Sequence, residues 1–344
     1  MPLLPPALRL PAPRSRTLPA LAAAAATALL LTACGTTETT APAGGAETGS
    51  STAGGAVTVT DERGAVELDA PAASVVSLEW GLTENLLSLG VDVVGQADVE
   101  GYNTWATVEP LDPATPDVGT RGEPSLDAIV ALDPDLVVTT TDIDEAVIAQ
   151  LAEQVPVIAL RGSDSADPLG YMRSTVETLA TATGTQDAGE QLLTDFDAKV
   201  ADGQARLEAA GRTGAPFVLA DGWDDAGAVS VRLYTPGSFV GAIGDELGLV
   251  NQWTEGGDPD YGLAATDVEG LTRISDPATT FVYGANDADG GSLFTDALAG
   301  NAVWQQLPFV TGDRVRRTPD GLWPFGGPAS GSAYVDALVT AVTS

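Results

Sequence analysis

The sequence predicts an α/β fold of two Rossmann-like lobes, each with a mainly parallel sheet, joined by one long α-helix. Three observations predict it. Short apolar, β-branched runs alternate with helix-like stretches on both sides of the midpoint, the pattern of a parallel sheet covered on both faces. A loop–helix–strand unit near residue 130 is echoed near residue 275. Between the two halves, residues 185–211 read as one uninterrupted helix.

The repeated unit is the clearest of these. Ser125 is an N-cap, and Leu126, Ile129 and Val130 recur at helical spacing behind it. Pro134 stops the helix because its ring cannot continue the hydrogen-bond ladder. Leu136, Val137 and Val138 then form a run suited to a buried parallel strand. The second copy runs from Asp267 to Pro277 and leads into Thr279–Tyr283, with one extra residue before its proline. Each copy places an acid in the first helical turn, Asp127 and Glu269. The helix macrodipole by itself favours an acid there.

The first lobe spans residues 56–184. Val57–Val59 alternates like an edge strand and meets a turn at Asp61–Gly64, which reads as a hairpin. Ser74–Leu78, Val91–Gly95, Leu136–Val138 and Val157–Leu160 are its strands; Thr83–Leu89, Glu145–Gln154 and Leu169–Thr183 are its other helices. Gly90 and Gly184 stand at helix ends, where a left-handed residue is wanted. The linking helix carries Leu192, Phe196, Val200 and Leu207 on its apolar side and ends at Gly211. At 1.5 Å per residue it is about 40 Å long, a strut rather than a flexible linker. The second lobe spans residues 212–344. Its strands are Phe217–Ala220, Ser230–Tyr234, Phe281–Tyr283 and, at an edge, Arg314–Arg317; its helices are Ser238–Leu247, a largely helical Leu293–Leu307 and Tyr334–Val342.

What precedes residue 56 is of another kind. Arg9, Arg14 and Arg16 are followed by an apolar run, Leu18–Leu31, too short to span a bilayer comfortably, so residues 1–33 read as an export signal. The run ends Leu31-Thr32-Ala33-Cys34, which resembles a bacterial lipobox; that resemblance implies cleavage and lipidation at Cys34, the only cysteine in the chain. A plain signal peptide that happens to contain a cysteine is the alternative. Residues 34–55 then form a Gly, Thr, Ala and Ser tether without periodicity.

Composition excludes much. Residues 1–33 hold three arginines and no acid, so without them 15 basic residues become 12 against 48 acids, and the formal charge of −33 becomes −36. Such a surface repels nucleic acid and anionic lipid. With no histidine and only Cys34, the chain has no Ser-His-Asp or Cys-His nucleophile system, no His or Cys zinc site and no intrachain disulfide. A hard-cation site built of carboxylates stays open on composition alone.

Aromatic residues gather after predicted strand ends. Trp80 follows Leu78, Tyr102 and Trp105 follow Gly95, and Trp223 follows Ala220. Tyr261 lies in a Gly/Asp/Pro-rich loop, and Trp323 and Phe325 in the Leu322–Pro328 stretch. In open α/β sheets the carboxyl ends of strands form the ligand crevice, so these rings are candidates to face one cleft. A loop ring that plugs its own domain is the ordinary alternative for each.

Asp117–Leu126, Leu249–Trp253, Trp304–Val310 and Leu322–Gly326 together resemble the substrate-binding lipoproteins of ABC importers, in the group serving ferric siderophores, haem and vitamin B12. Within it the chain looks most like the ferric hydroxamate receptors, and the likeness covers residues 56–344. The resemblance implies two lobes braced by a rigid helix, the helical-backbone form of the periplasmic binding proteins. It implies that Arg121 donates to hydroxamate oxygens around iron, a role suited to a planar fork of donors that does not deprotonate. On sequence alone, a surface ion pair with Glu123 or Asp117 competes with that role. It implies that Tyr261 and Trp323 pack on the siderophore, with tyrosine where relatives show tryptophan; Trp80, Tyr102, Trp223 and Phe325 remain ligand-facing candidates by their position after strand ends and in loops. It implies that Asp127 and Glu269, one on each lobe, dock the membrane permease; Asp127 is shorter than the glutamate usual in relatives.

The expected function is therefore a receptor, not an enzyme: a monomer lipid-anchored through Cys34 on the outer face of the cytoplasmic membrane. It takes a ferric siderophore of the hydroxamate type and hands it to ABC permease subunits, without binding nucleic acid. Iron enters only as its chelate, so no cofactor and no protein-ligated metal are expected. The same fold carrying a catecholate, ferric citrate, a corrinoid or haem is the alternative; an exported hydrolase using paired acids and an adhesion lipoprotein are two others. Little lobe closure is expected, because a helical strut bends less readily than paired strands.

Overall fold

The structure, a computed structural model, describes residues 55–225, 228–289 and 292–344. The predicted export signal, Cys34 and nearly all of the tether lie outside the described residues.

The first half opens with an antiparallel hairpin, β1 (Val57–Asp61) and β2 (Gly64–Leu68), closed by Gly64 at φ +127°. It continues through β3 (Ser74–Ser77), α1 (Trp80–Ser88), β4 (Asp92–Gln96), α2 (Val99–Trp105), α3 (Leu126–Ala131), β5 (Leu136–Thr140), α4 (Glu145–Ala152), β6 (Val157–Leu160) and α5 (Pro168–Thr183). The four-stranded sheet has the order β4-β3-β5-β6 and is parallel throughout. Every residue of β5 and β6 is buried, as the apolar runs require. Ser125 caps α3 by accepting from the Ala128 amide at 3.3 Å.

Helix α6 (Gln186–Ala209) follows, and its 24 residues span about 36 Å. The second half holds β7 (Pro216–Asp225), β8 (Ala228–Tyr234), α7 (Phe239–Glu246), β9 (Val250–Asn251), β10 (Leu263–Thr266), β11 (Thr280–Tyr283), α8 (Pro308–Thr311), β12 (Val315–Arg317) and α9 (Pro328–Thr343). Its sheet runs β10-β8-β7-β11-β12, with β9 alongside β7. The β7–β11, β11–β12 and β7–β9 pairs are parallel, and the β7–β8 and β8–β10 pairs antiparallel.

Several elements differ from expectation. Helix α1 begins at Trp80 rather than Thr83, so Trp80 is a helical residue. Strand β7 continues past Ala220 because Asp221–Asp225 pair with β8, which places Trp223 on a strand. Residues 293–307 form a π-helical turn and two 3-10 turns instead of one helix; the Asn301 side chain accepts from the Val303 and Trp304 amides and breaks the run. In the second repeat, Glu269 precedes a short 3-10 turn, Gly270–Arg273, where an α-helix was expected.

One apolar core crosses the midline. Leu86 and Val176 from the first half, Phe196 and Val200 from α6, and Phe239, Val335 and Leu338 from the second half belong to a single cluster. The α6 helix is thus packed on both halves rather than bridging a gap.

Candidate functional site

Two adjoining hollows of about 630 and 490 Å³ lie where the strand ends of both halves converge. Both volumes fall in the range of about 300–1,000 Å³ usual for small-molecule sites. Arg121, Arg232 and Trp323 line both hollows, so they form the ridge between them.

Arg121 projects from the turn between Gly119 and Pro124, which is closed by a bridge between those two residues. Its Nη1 donates to both oxygens of Glu79, at 3.1 and 3.2 Å, and its guanidinium carbon lies 3.9 Å from the centre of the Trp80 ring and 5.3 Å from that of Trp323. The sequence offered Glu123 or Asp117 as its partner; the structure supplies Glu79, just past β3 at the start of α1. Burial pushes the Glu79 carboxyl up, and Arg121 draws it back down. Trp80 is fixed by its own indole N–H, which donates to the Ala97 carbonyl at 3.3 Å.

From Trp80 a chain of rings crosses the cleft. Trp323 meets Trp80 edge-on with centroids 4.8 Å apart, Phe325 meets Trp323 at 5.3 Å, and Tyr261 meets Phe325 at 5.4 Å. Edge-to-face geometry of this kind is favourable beyond the area buried. The Tyr261 hydroxyl donates to Asp142, just past β5, so the ring row links the two halves. Gly162 makes room for it: a Cβ there would stand 1.6 Å from the tyrosine oxygen. Gly81 does the same for the Phe325 backbone, whose carbonyl oxygen would lie 2.2 Å from an added Cβ. Burial and Asp142 both raise the Tyr261 phenol well above its ordinary range, so it stays a donor.

The far side of the ridge belongs to Arg232 on β8. Its Nε donates to Asp221 at 2.9 Å and its Nη2 to the other oxygen of the same carboxylate, while the Tyr234 hydroxyl also donates to Asp221, at 2.8 Å. Burial opposes its charge, but Tyr234 and Asp221 outweigh it and hold Arg232 above its usual range. Its guanidinium carbon is 5.4 Å from the centre of the Phe325 ring.

Of the residues singled out in the sequence, Arg121, Trp323, Tyr261 and Phe325 border the smaller hollow; Trp80, Trp223, Arg121 and Trp323 border the larger. Tyr102 does not join them. It lies on α2, fully buried, and donates to the Glu109 carbonyl at 2.6 Å, so its ring is core. Asp127 and Glu269 are exposed and away from both hollows. Sequence reasoning missed Glu79, Asp142 and Asp221 as cleft residues, and it placed Arg232 on a strand without assigning it to the cleft. The strand-end position of Glu79 was the available signal. Among the described residues, no group of three or more carboxylates or thiols is arranged to hold a metal ion.

The model of the periplasmic binding protein family matches residues 75–322. The chain belongs to that family. As a periplasmic binding protein it is 28% identical over 268 residues to the iron(3+)-hydroxamate-binding protein FhuD of Escherichia coli, covering 78% of this chain and 86% of that one. It is 26% identical over 266 residues to the Fe(3+)-citrate-binding protein YfmC of Bacillus subtilis, covering 76% and 78%. Among solved structures, the siderophore-binding protein FhuD of Vibrio cholerae, bound to Fe3+–Desferal, superimposes with a TM-score of 0.69 at 26% identity, covering 79% of this chain and 98% of that one. Members of this family bind solutes and are not enzymes.

Proposed function

We propose that this protein is an extracytoplasmic receptor that holds a ferric siderophore of the hydroxamate type between its lobes and delivers it to an ABC importer. The observation that carries this reading is the ridge itself: a guanidinium from each half, Arg121 and Arg232, on either side of a row of rings reaching from Trp80 to Tyr261. A ferric trihydroxamate presents electron-rich oxygens around the metal and apolar linkers between them. A planar fork of N–H donors suits the first, and edge-on aromatic faces suit the second. The relation to the two FhuD proteins supports the hydroxamate class.

In this role Arg121 would donate to hydroxamate oxygens with the N–H groups not engaged by Glu79, and Trp323, Phe325 and Tyr261 would cover the ligand's carbon frame. Iron arrives as cargo already chelated, so no side chain needs to ligate it. Asp127 and Glu269 would meet basic residues of the permease, Cys34 would carry the lipid that keeps the receptor at the outer face of the cytoplasmic membrane, and the receptor would act as a monomer.

Four tryptophans, Trp80, Trp105, Trp223 and Trp323, border the hollows. Titration with ferric deferoxamine should therefore quench much of the intrinsic fluorescence, with the iron-free chelator as control. No response to any ferric hydroxamate, catecholate or citrate complex would refute the receptor reading.

A further inference from the structure

We infer that the cleft selects its cargo by charge, favouring a ferric chelate that carries a pendant cation over a neutral one and a neutral one over an anionic one, with Asp142 as the residue that sets this order. The inference rests on the siderophore reading above and adds to it which chelates that site takes.

The argument starts from who is already paired. Arg121, Arg161 and Arg232 are the guanidiniums that line the hollows. Arg121 is bound to Glu79, Arg232 to Asp221, and Arg161 to Glu62 and Asp164, at 3.1 and 3.0 Å. Each positive charge facing the cargo is therefore already neutralised by a carboxylate. Asp142 is different. It borders the smaller hollow beside Arg121, Tyr261 and Phe325, and it accepts only from hydroxyls, Thr140 at 2.9 Å and Tyr261. Among the described residues it has no cationic partner, and it is exposed. Asp296 adds a further carboxylate at the edge of the larger hollow, where its donors are the Ser292 amide and the Thr295 hydroxyl. The excess charge of the site is negative, and so is the field of the whole chain, whose formal charge is −33.

A trihydroxamate around ferric iron is neutral at its core, so the pendant group decides the net charge of the complex. With the core against Arg121 and the rings, an ammonium on a short tail reaches the Asp142 carboxylate, whereas a carboxylate on the same tail is repelled. Tris-catecholates and citrate complexes, which carry several negative charges, meet no uncompensated guanidinium here.

Three probes share one iron core and differ only in the tail: ferric deferoxamine with its ammonium, its N-acetyl derivative, and its N-succinyl derivative. Dissociation constants from tryptophan quenching should rise in that order, by about tenfold from first to last at low salt, with the spread shrinking at higher ionic strength. Asp142→Asn should shrink the spread to about threefold. Tyr261→Phe, which removes the hydroxyl but keeps the carboxylate, should retain the order. Equal affinities, the reverse order, or an unchanged spread in Asp142→Asn would overturn the inference while leaving the receptor reading intact. Binding of none of the three removes the receptor reading, and the charge order falls with it.

Discussion

Glu84 offers the sharpest test of how the two halves are held together. It lies on α1 and is wholly buried, yet its hydrogen-bond donors belong to the start of α9: the Gly327 amide at 2.8 Å, the Ser330 amide at 3.0 Å, and the Ser330 hydroxyl. Helix α9 has no N-cap side chain of its own. A carboxylate from the opposite half takes that place. Burial pushes Glu84 up to about 7, against the pull of Ser330 and Gly327; Glu109 adds to the rise, and Tyr102 and Tyr334 stand near as neutral phenols. The folded protein therefore binds this proton more tightly than the unfolded chain, whose glutamate titrates near 4.5. Stability from this group is present in full below that value and is lost as pH rises through about 7. Integrated from about pH 5 to about pH 8, the loss is about 2.5 kcal/mol. Urea unfolding of wild type and Glu84→Gln at several pH values isolates the effect, because every other group titrates in both. Wild type should lose ground to the glutamine variant as pH rises. Glu84→Ala should cost about 3–5 kcal/mol, since two buried amides lose their acceptor. A wild-type advantage that grows with pH would show that the three donors and the helix end outweigh burial, and would refute the reasoning.

Other outcomes follow from the same geometry. Arg121→Ala should weaken ferric deferoxamine binding by about tenfold to a hundredfold in fluorescence titration, because the ligand oxygens lose their donors and Glu79 loses its guanidinium. Gly162→Ala should break the Tyr261–Asp142 contact, since the new Cβ would stand 1.6 Å from the tyrosine oxygen and 2.8 Å from an Asp142 oxygen, both at side-chain ends; unfolding should change by less than about 1 kcal/mol while chelate affinity falls several-fold. Asp127→Arg combined with Glu269→Arg should cut uptake in cells by about tenfold or more through charge repulsion at the permease, with the purified receptor still binding chelate. Small-angle scattering should register a change of less than about 1 Å in radius of gyration on loading, because the lobes share one core around α6.

Much of the scaffold was legible because its signals are local. Ser125, Gly90 and Gly184 mark helix ends by the conformations they favour, and the short β-branched runs at Leu136 and Val157 suit buried strands. Helix α2 escaped notice because it is only seven residues long and starts from Asp98 in a left-handed conformation, φ +59°, although Val99, Tyr102 and Trp105 recur at helical spacing. The extension of β7 through Asp221–Asp225 was hidden because its polar residues are held by pairing with β8, a contact that periodicity does not report. For the site, position after a strand end located the crevice but not the direction of each ring: Tyr102 turns into the core while Tyr261 crosses the cleft. The carboxylates that neutralise Arg121 and Arg232 come from other elements, the start of α1 and β7, and only the fold reveals them.

The stretch from Gly321 to Gly327 joins these threads. It belongs to the second half in chain order, and it carries Trp323 and Phe325. Yet the first half holds it at three points: the Thr107 amide donates to the Gly321 carbonyl at 2.9 Å, the Phe325 carbonyl lies against Gly81, and the Gly327 amide ends on Glu84. The aromatic row is therefore fixed to both halves at once. Opening the lobes would break that stretch away from α1 and leave the Glu84 carboxylate and the Gly327 and Ser330 amides without partners. That step breaks buried hydrogen bonds and so opposes opening of the lobes: the contacts that brace the halves also hold the stretch that carries Trp323 and Phe325.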